Sequence, residues 1–177
     1  MISAIVYTSN TGYTRQYAEL LAAKTGLPAY NLKNSIPPAA RGKEIIYMGW
    51  IMAGGVQGYQ AAAKRFRIRA VCQVGMGPSD GKQNADAAKR YALGSGTPLF
   101  YLRGGFDLSK LHGVYKFMMR AMCKKIIGDL KAKPALTPEE QELLKMATEG
   151  SSCVSEENLA GVLEWYRSLQ QETEDAQ

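Results

Sequence analysis

The amino-acid sequence predicts an α/β fold built on a doubly wound, five-stranded parallel sheet with extra C-terminal helices. Short apolar segments alternate along the chain with segments of helical periodicity, which is typical of a parallel sheet. The first and third of these apolar segments, ISAIVY and EIIYMGW, lack polar alternation, as expected for strands covered on both faces. A chain of 177 residues, 46% of them hydrophobic, is long enough to bury the core of such a fold.

Five strands are predicted from β-branched and apolar segments bounded by glycine, proline or polar residues. They cover residues 2–7, 27–32, 44–50, 70–76 and 97–103. The second is the weakest, and the segment after it (33–44) contains two prolines and no amphipathic pattern. We therefore expect a loop where an α/β unit normally has its second helix.

Helices are predicted where apolar residues recur at spacings of three and four. One helix follows the hydroxyl-rich segment at 8–14 and continues to Thr25, and the others cover 54–66, 85–94 and 109–131. Two more are indicated by their N-terminal signals: Thr137 with a proline and Glu140 forms a capping-box pattern, and Ser155 precedes another apolar stripe. We expect a single domain, 1–177, with a ligand-binding core at 1–133 and acidic helices at 134–177.

The charge of the chain is unevenly distributed. Residues 1–136 carry 20 basic and 6 acidic side chains, whereas residues 137–177 carry 2 basic and 10 acidic ones. The two regions either neutralise each other in part, or the basic body is attracted to an anionic surface or partner. No RRM, KH or helix-turn-helix pattern is present, so we do not expect a nucleic-acid partner.

Cysteine usage and the apolar segments bear on localisation. Cys72, Cys123 and Cys153 are far apart and lack C-x-x-C spacing, which argues against a disulfide framework or a zinc site. No basic stretch precedes the first apolar segment, and no apolar stretch approaches the roughly 20 residues of a membrane span. The expected localisation is cytoplasmic.

A cluster of hydroxyl side chains separates the first strand from the first helix. The segment contains Thr8, Ser9, Asn10, Thr11, Gly12 and Thr14. A helix N-terminus presents unpaired N–H groups and partial positive charge, hydroxyls add donors, and Gly12 permits close backbone approach, so the loop suits a phosphate. Neither the P-loop nor the Rossmann pattern is present. The alternative is that the hydroxyls only cap the helix.

Residues 9–14, SNTGYT, match the S/T-x-T-G-x-T phosphate loop of flavodoxins, and the order of elements through residue 131 resembles a flavodoxin-like domain. The resemblance implies strand order 2-1-3-4-5 and FMN as the cofactor. Its phosphate would lie on residues 8–14: Thr8, Ser9, Asn10, Thr11, Gly12, Tyr13 and Thr14.

Two further loops at the same sheet edge would then flank the flavin ring. The first comprises Trp50, Ile51, Met52, Ala53 and Gly54; the second contains Gly75, Met76, Gly77 and Asp80. Trp50 is also a plausible core residue at a strand end. The second loop departs from the family because Met76 and Pro78 stand where a stacked tyrosine is often found.

The segment 101–126 resembles the flavodoxin-domain branch that includes menaquinone-dependent protoporphyrinogen oxidase. The resemblance implies a redox protein that transfers electrons through FMN, to or from a quinone or another redox partner. Two alternatives stay open: an FMN dehydrogenase acting on a porphyrinogen, and a non-redox module that binds a phosphate ligand. Arg103 and His112 are candidates for holding an acidic substrate or transferring protons, although His112 could equally be a surface residue at a helix start.

The region 108–133 carries seven basic residues and one acid, Asp129. Its apolar stripe is expected to pack on the sheet rather than enter lipid. Its basic face could still contact an anionic membrane at the inner face, which would present the flavin to a membrane quinone.

Overall fold

The computed structural model describes residues 1–34, 36–37, 42–77, 81–93 and 96–175. The chain forms two compact units, Met1–Gly104 together with Val154–Gln177, and Gly105–Cys153. The strands are β1 (Ile2–Thr8), β2 (Ala29–Asn31), β3 (Glu44–Met52), β4 (Gly55–Val56), β5 (Arg67–Gly75), β6 (Leu99–Arg103), β7 (Gly105–Phe106) and β8 (Ser151–Ser152). The helices are α1 (Tyr13–Thr25), α2 (Tyr59–Ala63), α3 (Lys82–Arg90), α4 (Gly113–Lys131), α5 (Pro138–Glu149) and α6 (Ala160–Asp175).

The first unit is built on a mostly parallel sheet in the order β2-β1-β3-β5-β6. All four neighbouring pairs in this order are parallel. The α/β class and the predicted order of the five main strands are therefore confirmed. The strand β4 adds to this sheet by antiparallel pairing with the end of β3.

Side chains of the central strands alternate between two apolar clusters, one on each face of the sheet. Ile46 and Met48 belong to one cluster together with residues of α1 and α6, such as Tyr17 and Val162. Ile45 and Tyr47 belong to the other, which includes Ala62 of α2 and partly buried residues near α3. Helices thus cover both faces, which explains why these strands read as continuous apolar runs.

The predicted helix over 54–66 forms only at Tyr59–Ala63. Its first residues instead turn back on β3, with Ile51 opposite Val56 and Met52 opposite Gly55. Gly54 and Gly58 have φ values of +70° and +83°, a left-handed conformation that interrupts a helix. The predicted helix was therefore too long, because these glycines permit a hairpin.

The second unit consists of α4, α5 and the β7–β8 pair around a small core. The buried residues of this core are Phe106, Leu111, Cys123 and Ala147. The predicted capping box of α5 is present: the Thr137 hydroxyl accepts from the Glu140 amide, and the Glu140 carboxylate accepts from the Thr137 amide. Among the described residues, no helix is long and apolar enough to cross a membrane.

The structure divides the chain elsewhere than at the expected boundary between residues 133 and 134. The last helix, α6, returns to the sheet-containing unit, where Leu159 and Val162 are buried in the cluster that includes α1. Only α5 of the acidic helices stays with α4 in the second unit. The predicted apolar stripe is also not a single buried face: Leu111 is buried and Tyr115 and Ile126 pack in the small core, whereas Met118 and Met122 are exposed.

Candidate phosphate site at the carboxyl edge of the sheet

The three predicted loops follow β1, β3 and β5, which are adjacent and parallel. Their carboxyl ends therefore lie along one edge of the sheet. The last paired residues are Thr8 opposite Gly49 and Trp50 opposite Val74. The chain leaves β1 toward β2 on one side, while β3 lies on the other. This reversal of strand order is where doubly wound folds place ligands.

Thr8 is buried, and its hydroxyl is occupied by a contact within the protein. The Tyr47 hydroxyl lies 2.9 Å from Thr8 Oγ1 and 2.6 Å from the Gln57 carbonyl oxygen. Tyr47 has one proton to donate and a carbonyl can only accept, so Tyr47 donates to Gln57 and Thr8 donates to Tyr47. The Thr8 hydroxyl proton is thus used in a hydrogen-bond chain that links β1, β3 and the loop before α2. We call the residues of this chain, together with Gly58, the Tyr47 cluster (Thr8, Tyr47, Gln57 and Gly58).

Ser9 organises the turn into α1. Its hydroxyl oxygen accepts from the amides of Gly12, at 3.2 Å, and Arg15, at 3.4 Å. Gly12 has a φ of +94°, and a Cβ placed there would meet nothing within 4 Å. Ser9 therefore caps the helix as an acceptor and retains its own hydroxyl proton, while Gly12 leaves the space beside the turn open.

Several donors of this loop remain available. The side-chain nitrogen of Asn10 is buried and has no hydrogen-bonding partner. Within the described part of the chain, the Thr11 and Thr14 hydroxyls make no hydrogen bond either. Thr14 is 2% exposed, so its side chain is buried. The loop itself holds no acidic side chain, and Arg15 is exposed and pairs with Glu19 at 2.7 Å.

These donors fit the phosphate of FMN, the cofactor that the resemblance implies. A buried amide N–H without a partner is costly, whereas a bound anion would satisfy it. The hydroxyls of Ser9, Thr11 and Thr14 and the N-terminus of α1 would act on the same anion. Thr8 is the predicted phosphate residue whose hydroxyl has another role.

The predicted loop 50–54 is a hairpin rather than a loop. Trp50, Ile51 and Met52 lie within β3, so the strand continues past the predicted end at residue 50. Only Ala53 and Gly54 form the turn, with φ values of +48° and +70°. By strand alternation, Trp50 lies on the face that Ile46 and Met48 share with α1.

The end of α3 holds this hairpin in place. Arg90 donates to the Ala53 carbonyl at 3.2 Å, and the Val56 amide donates to the Tyr91 hydroxyl at 2.7 Å. A Cβ on Gly55 would meet the Arg90 guanidinium. The hairpin therefore stands beside the hydroxyl loop as a fixed element rather than a free loop.

Gly75 ends β5, and Met76 and Gly77 follow it at the same edge. Tyr101 of β6 donates to the Gly77 carbonyl at 2.6 Å, and a Cβ on Gly75 would overlap the Tyr101 ring. The side chain of Met76 is 39% exposed. Asp80, the last predicted residue of this loop, lies outside the described residues.

The two candidate catalytic residues belong to different units. Arg103 ends β6 of the first unit, and its carbonyl accepts from the Tyr17 hydroxyl at 2.5 Å. His112 belongs to the second unit, where it is the exposed residue before α4. The site described above is formed by the first unit and uses no residue of the second.

Sequence patterns did not identify Tyr47, Gln57, Tyr91 or Tyr101, although these residues fix the three segments of the site. Tyr47 lies in the middle of an apolar strand, Tyr101 lies within the fifth predicted strand, and Tyr91 lies within the predicted helix 85–94. The glycines at 55 and 58 were the local signal of close approach, because an added Cβ at either position would meet neighbouring side chains.

No family model, curated protein or solved structure with which the chain was compared matches it. A ligand for this sheet edge is therefore inferred from the chain's own residues.

Proposed function

We propose that the chain binds FMN at the carboxyl edge of the sheet and transfers electrons through it, to or from a quinone or another redox partner. The observation that carries the proposal is the loop at 9–14, where a buried Asn10 nitrogen and the Thr11 and Thr14 hydroxyls are available at the N-terminus of a 13-residue helix. A helix cap needs one such group, and Ser9 already provides it.

Bound FMN supplies electron and hydride transfer at its ring, so the chain needs no nucleophile of its own. The residues of the chain would bind the cofactor and orient it. Asn10, Thr11 and Thr14 would hold the phosphate, and Ser9 would keep the turn in shape. The hairpin 50–56 and the segment 75–77 would flank the ring, with Trp50 and Met76 as the apolar side chains on either side.

The first test compares the binding of FMN with that of riboflavin, which lacks the phosphate, by absorbance and fluorescence titration. We expect the wild-type protein to bind FMN and to prefer it strongly. The double variant T11A/T14V should weaken FMN binding by roughly 150-fold or more, because each of the two lost hydrogen bonds to a charged group contributes roughly 1.5–3 kcal/mol. It should also lose most of the preference over riboflavin.

The matched control is T148A on α5, which removes an exposed threonine hydroxyl that bonds within its own helix. This variant should bind FMN as the wild type does. A wild-type protein that stays colourless after incubation with FMN would overturn the redox proposal and leave a cap or another phosphate ligand as the role of the loop. If flavin binds, adding a soluble menaquinone analogue to the reduced protein tests the quinone as acceptor.

A further inference from the structure

The helix α4 has a second apolar face that its own unit does not cover. Val114, Phe117, Met118 and Met122 are 72%, 77%, 50% and 43% exposed. They make up four of the six large hydrophobic side chains that are exposed among the described residues. At 100° per residue they share one side of the helix, opposite the buried Cys123.

Basic side chains line one flank of this face. Arg120, Lys124 and Lys131 form a row along one flank. Lys125 lies within the exposed face, and so does Asp129, whose position falls between those of Met118 and Met122. Arg120, Lys124 and Lys125 are exposed, and none of them forms an ion pair within the described ranges of the chain. Asp129 offsets one of the four positive charges of Arg120, Lys124, Lys125 and Lys131, so the face and its flank keep a net positive charge.

We propose that this face of α4 binds the surface of a membrane that contains anionic lipid. An amphipathic helix that lies in the interface buries apolar side chains among the acyl chains, while its flanking lysines and arginines reach the headgroups. Each basic residue near an anionic surface contributes on the order of 1 kcal/mol, which is about a fivefold change in binding. A helix of 19 residues lying flat offers a contact roughly 28 Å long.

The charge pattern favours lipid over a second copy of the chain. A symmetric contact through this face would bring the Arg120, Lys124 and Lys125 charges of two copies together, and like charges at an interface are unfavourable. An anionic bilayer complements the same charges. Flexible methionines suit a surface without fixed shape, because they adapt to irregular contacts. The contact does not depend on the flavin, so it stands or falls separately from the proposed function.

The experiment measures co-flotation of the full chain with vesicles made of equal parts phosphatidylglycerol and phosphatidylcholine. We expect binding at low salt, weaker binding at high salt and little binding to phosphatidylcholine alone. The variant V114S/F117S should reduce binding by about tenfold or more while keeping the charge. The variant K124E/K125E should reduce it by about tenfold or more while keeping the apolar side chains.

The matched control is K89E/K145E, which makes the same change of net charge at exposed positions outside α4. It should retain most of the binding. Circular dichroism checks that each variant is folded, which is expected because all the changed side chains are exposed. Failure of the wild type to float with the anionic vesicles at low salt would overturn the proposal. Equal losses in the control would also overturn it, as would light scattering in which V114S/F117S converts a dimer to a monomer.

Discussion

Gly58 occupies a position in the Tyr47 cluster where a larger residue does not fit. It has a φ of +83°, and a Cβ placed there would collide with the hydroxyls of Tyr47 and Thr8. Gly26, which ends α1, has a similar φ of +72° but open space around the same position. The two glycines therefore separate the cost of a left-handed backbone from the cost of a steric collision.

We predict that G58A destabilises the protein by about 2–5 kcal/mol, because the backbone strain of roughly 1–2 kcal/mol adds to overpacking of about 1–3 kcal/mol. The control G26A should cost only about 1–2 kcal/mol, since it adds strain without a collision. Urea unfolding of both variants gives the two free energies. Equal losses for the two variants would show that the Tyr47 cluster yields to an added methyl group.

Tyr47 leads to a prediction about alkaline pH. Burial raises the pKa of this tyrosine, with a smaller contribution from Tyr91, while the hydrogen bond with Thr8 opposes the shift. The folded state therefore retains the hydroxyl proton after the unfolded chain has lost it. The contribution to stability is complete below the ordinary pKa of 10.0 and declines as the pH rises above that value.

The variant Y47F tests this by removing the group that titrates. It should cost about 1–3 kcal/mol at neutral pH, because the Gln57 carbonyl and the Thr8 hydroxyl lose their partner. It should also flatten the loss of stability above about pH 10 that urea unfolding across pH reveals in the wild type. The control T148A, which removes an exposed threonine hydroxyl that does not titrate in this range, should leave the slope in place. An unchanged slope in Y47F would contradict the assignment.

At the scale of elements, the sequence predicted the strands better than the segments between them. A buried strand is recorded locally as a run of apolar residues, so all five main strands were found, even the three-residue β2. The segment 54–66 was misread because Val56 and Tyr59 fit a helical spacing. In the structure, Val56 instead pairs with Ile51 at the end of β3, which helical spacing does not reveal. Its glycines were the local warning.

In the candidate site too, a feature contained in a short segment could be predicted, and features that depend on distant residues could not. The hydroxyl loop could be predicted because its chemistry is contained in six consecutive residues. The loss of Thr8 as a phosphate donor could not be predicted, because it depends on Tyr47, 39 residues away in the chain. The Arg90 and Tyr91 contacts that hold the hairpin are likewise set by the packing of α3 rather than by any local pattern.

At the scale of the whole molecule, the division into two units does not coincide with the boundary between the basic and acidic regions. The acidic composition begins near residue 137, yet the second unit spans Gly105–Cys153, and the segment after it returns to the first unit. Asn158 donates to the Tyr17 hydroxyl at 2.6 Å, and Tyr17 in turn holds the end of β6 through the Arg103 carbonyl. The returning segment is therefore part of the core beneath the candidate site.

This path predicts that residues 105–153 can be removed while the last helix cannot. Replacing 105–153 by a flexible glycine-serine linker should leave a unit that unfolds cooperatively and binds FMN as tightly as the intact chain. Truncation after residue 133 should instead abolish cooperative unfolding, because it removes Leu159 and Val162 from the apolar cluster that contains α1. Burial of such side chains contributes roughly 1.5–3 kcal/mol each, a large share of the stability of a domain. Thermal unfolding followed by circular dichroism distinguishes the two chains, and a truncated chain as stable as the excised one would show that α6 is dispensable.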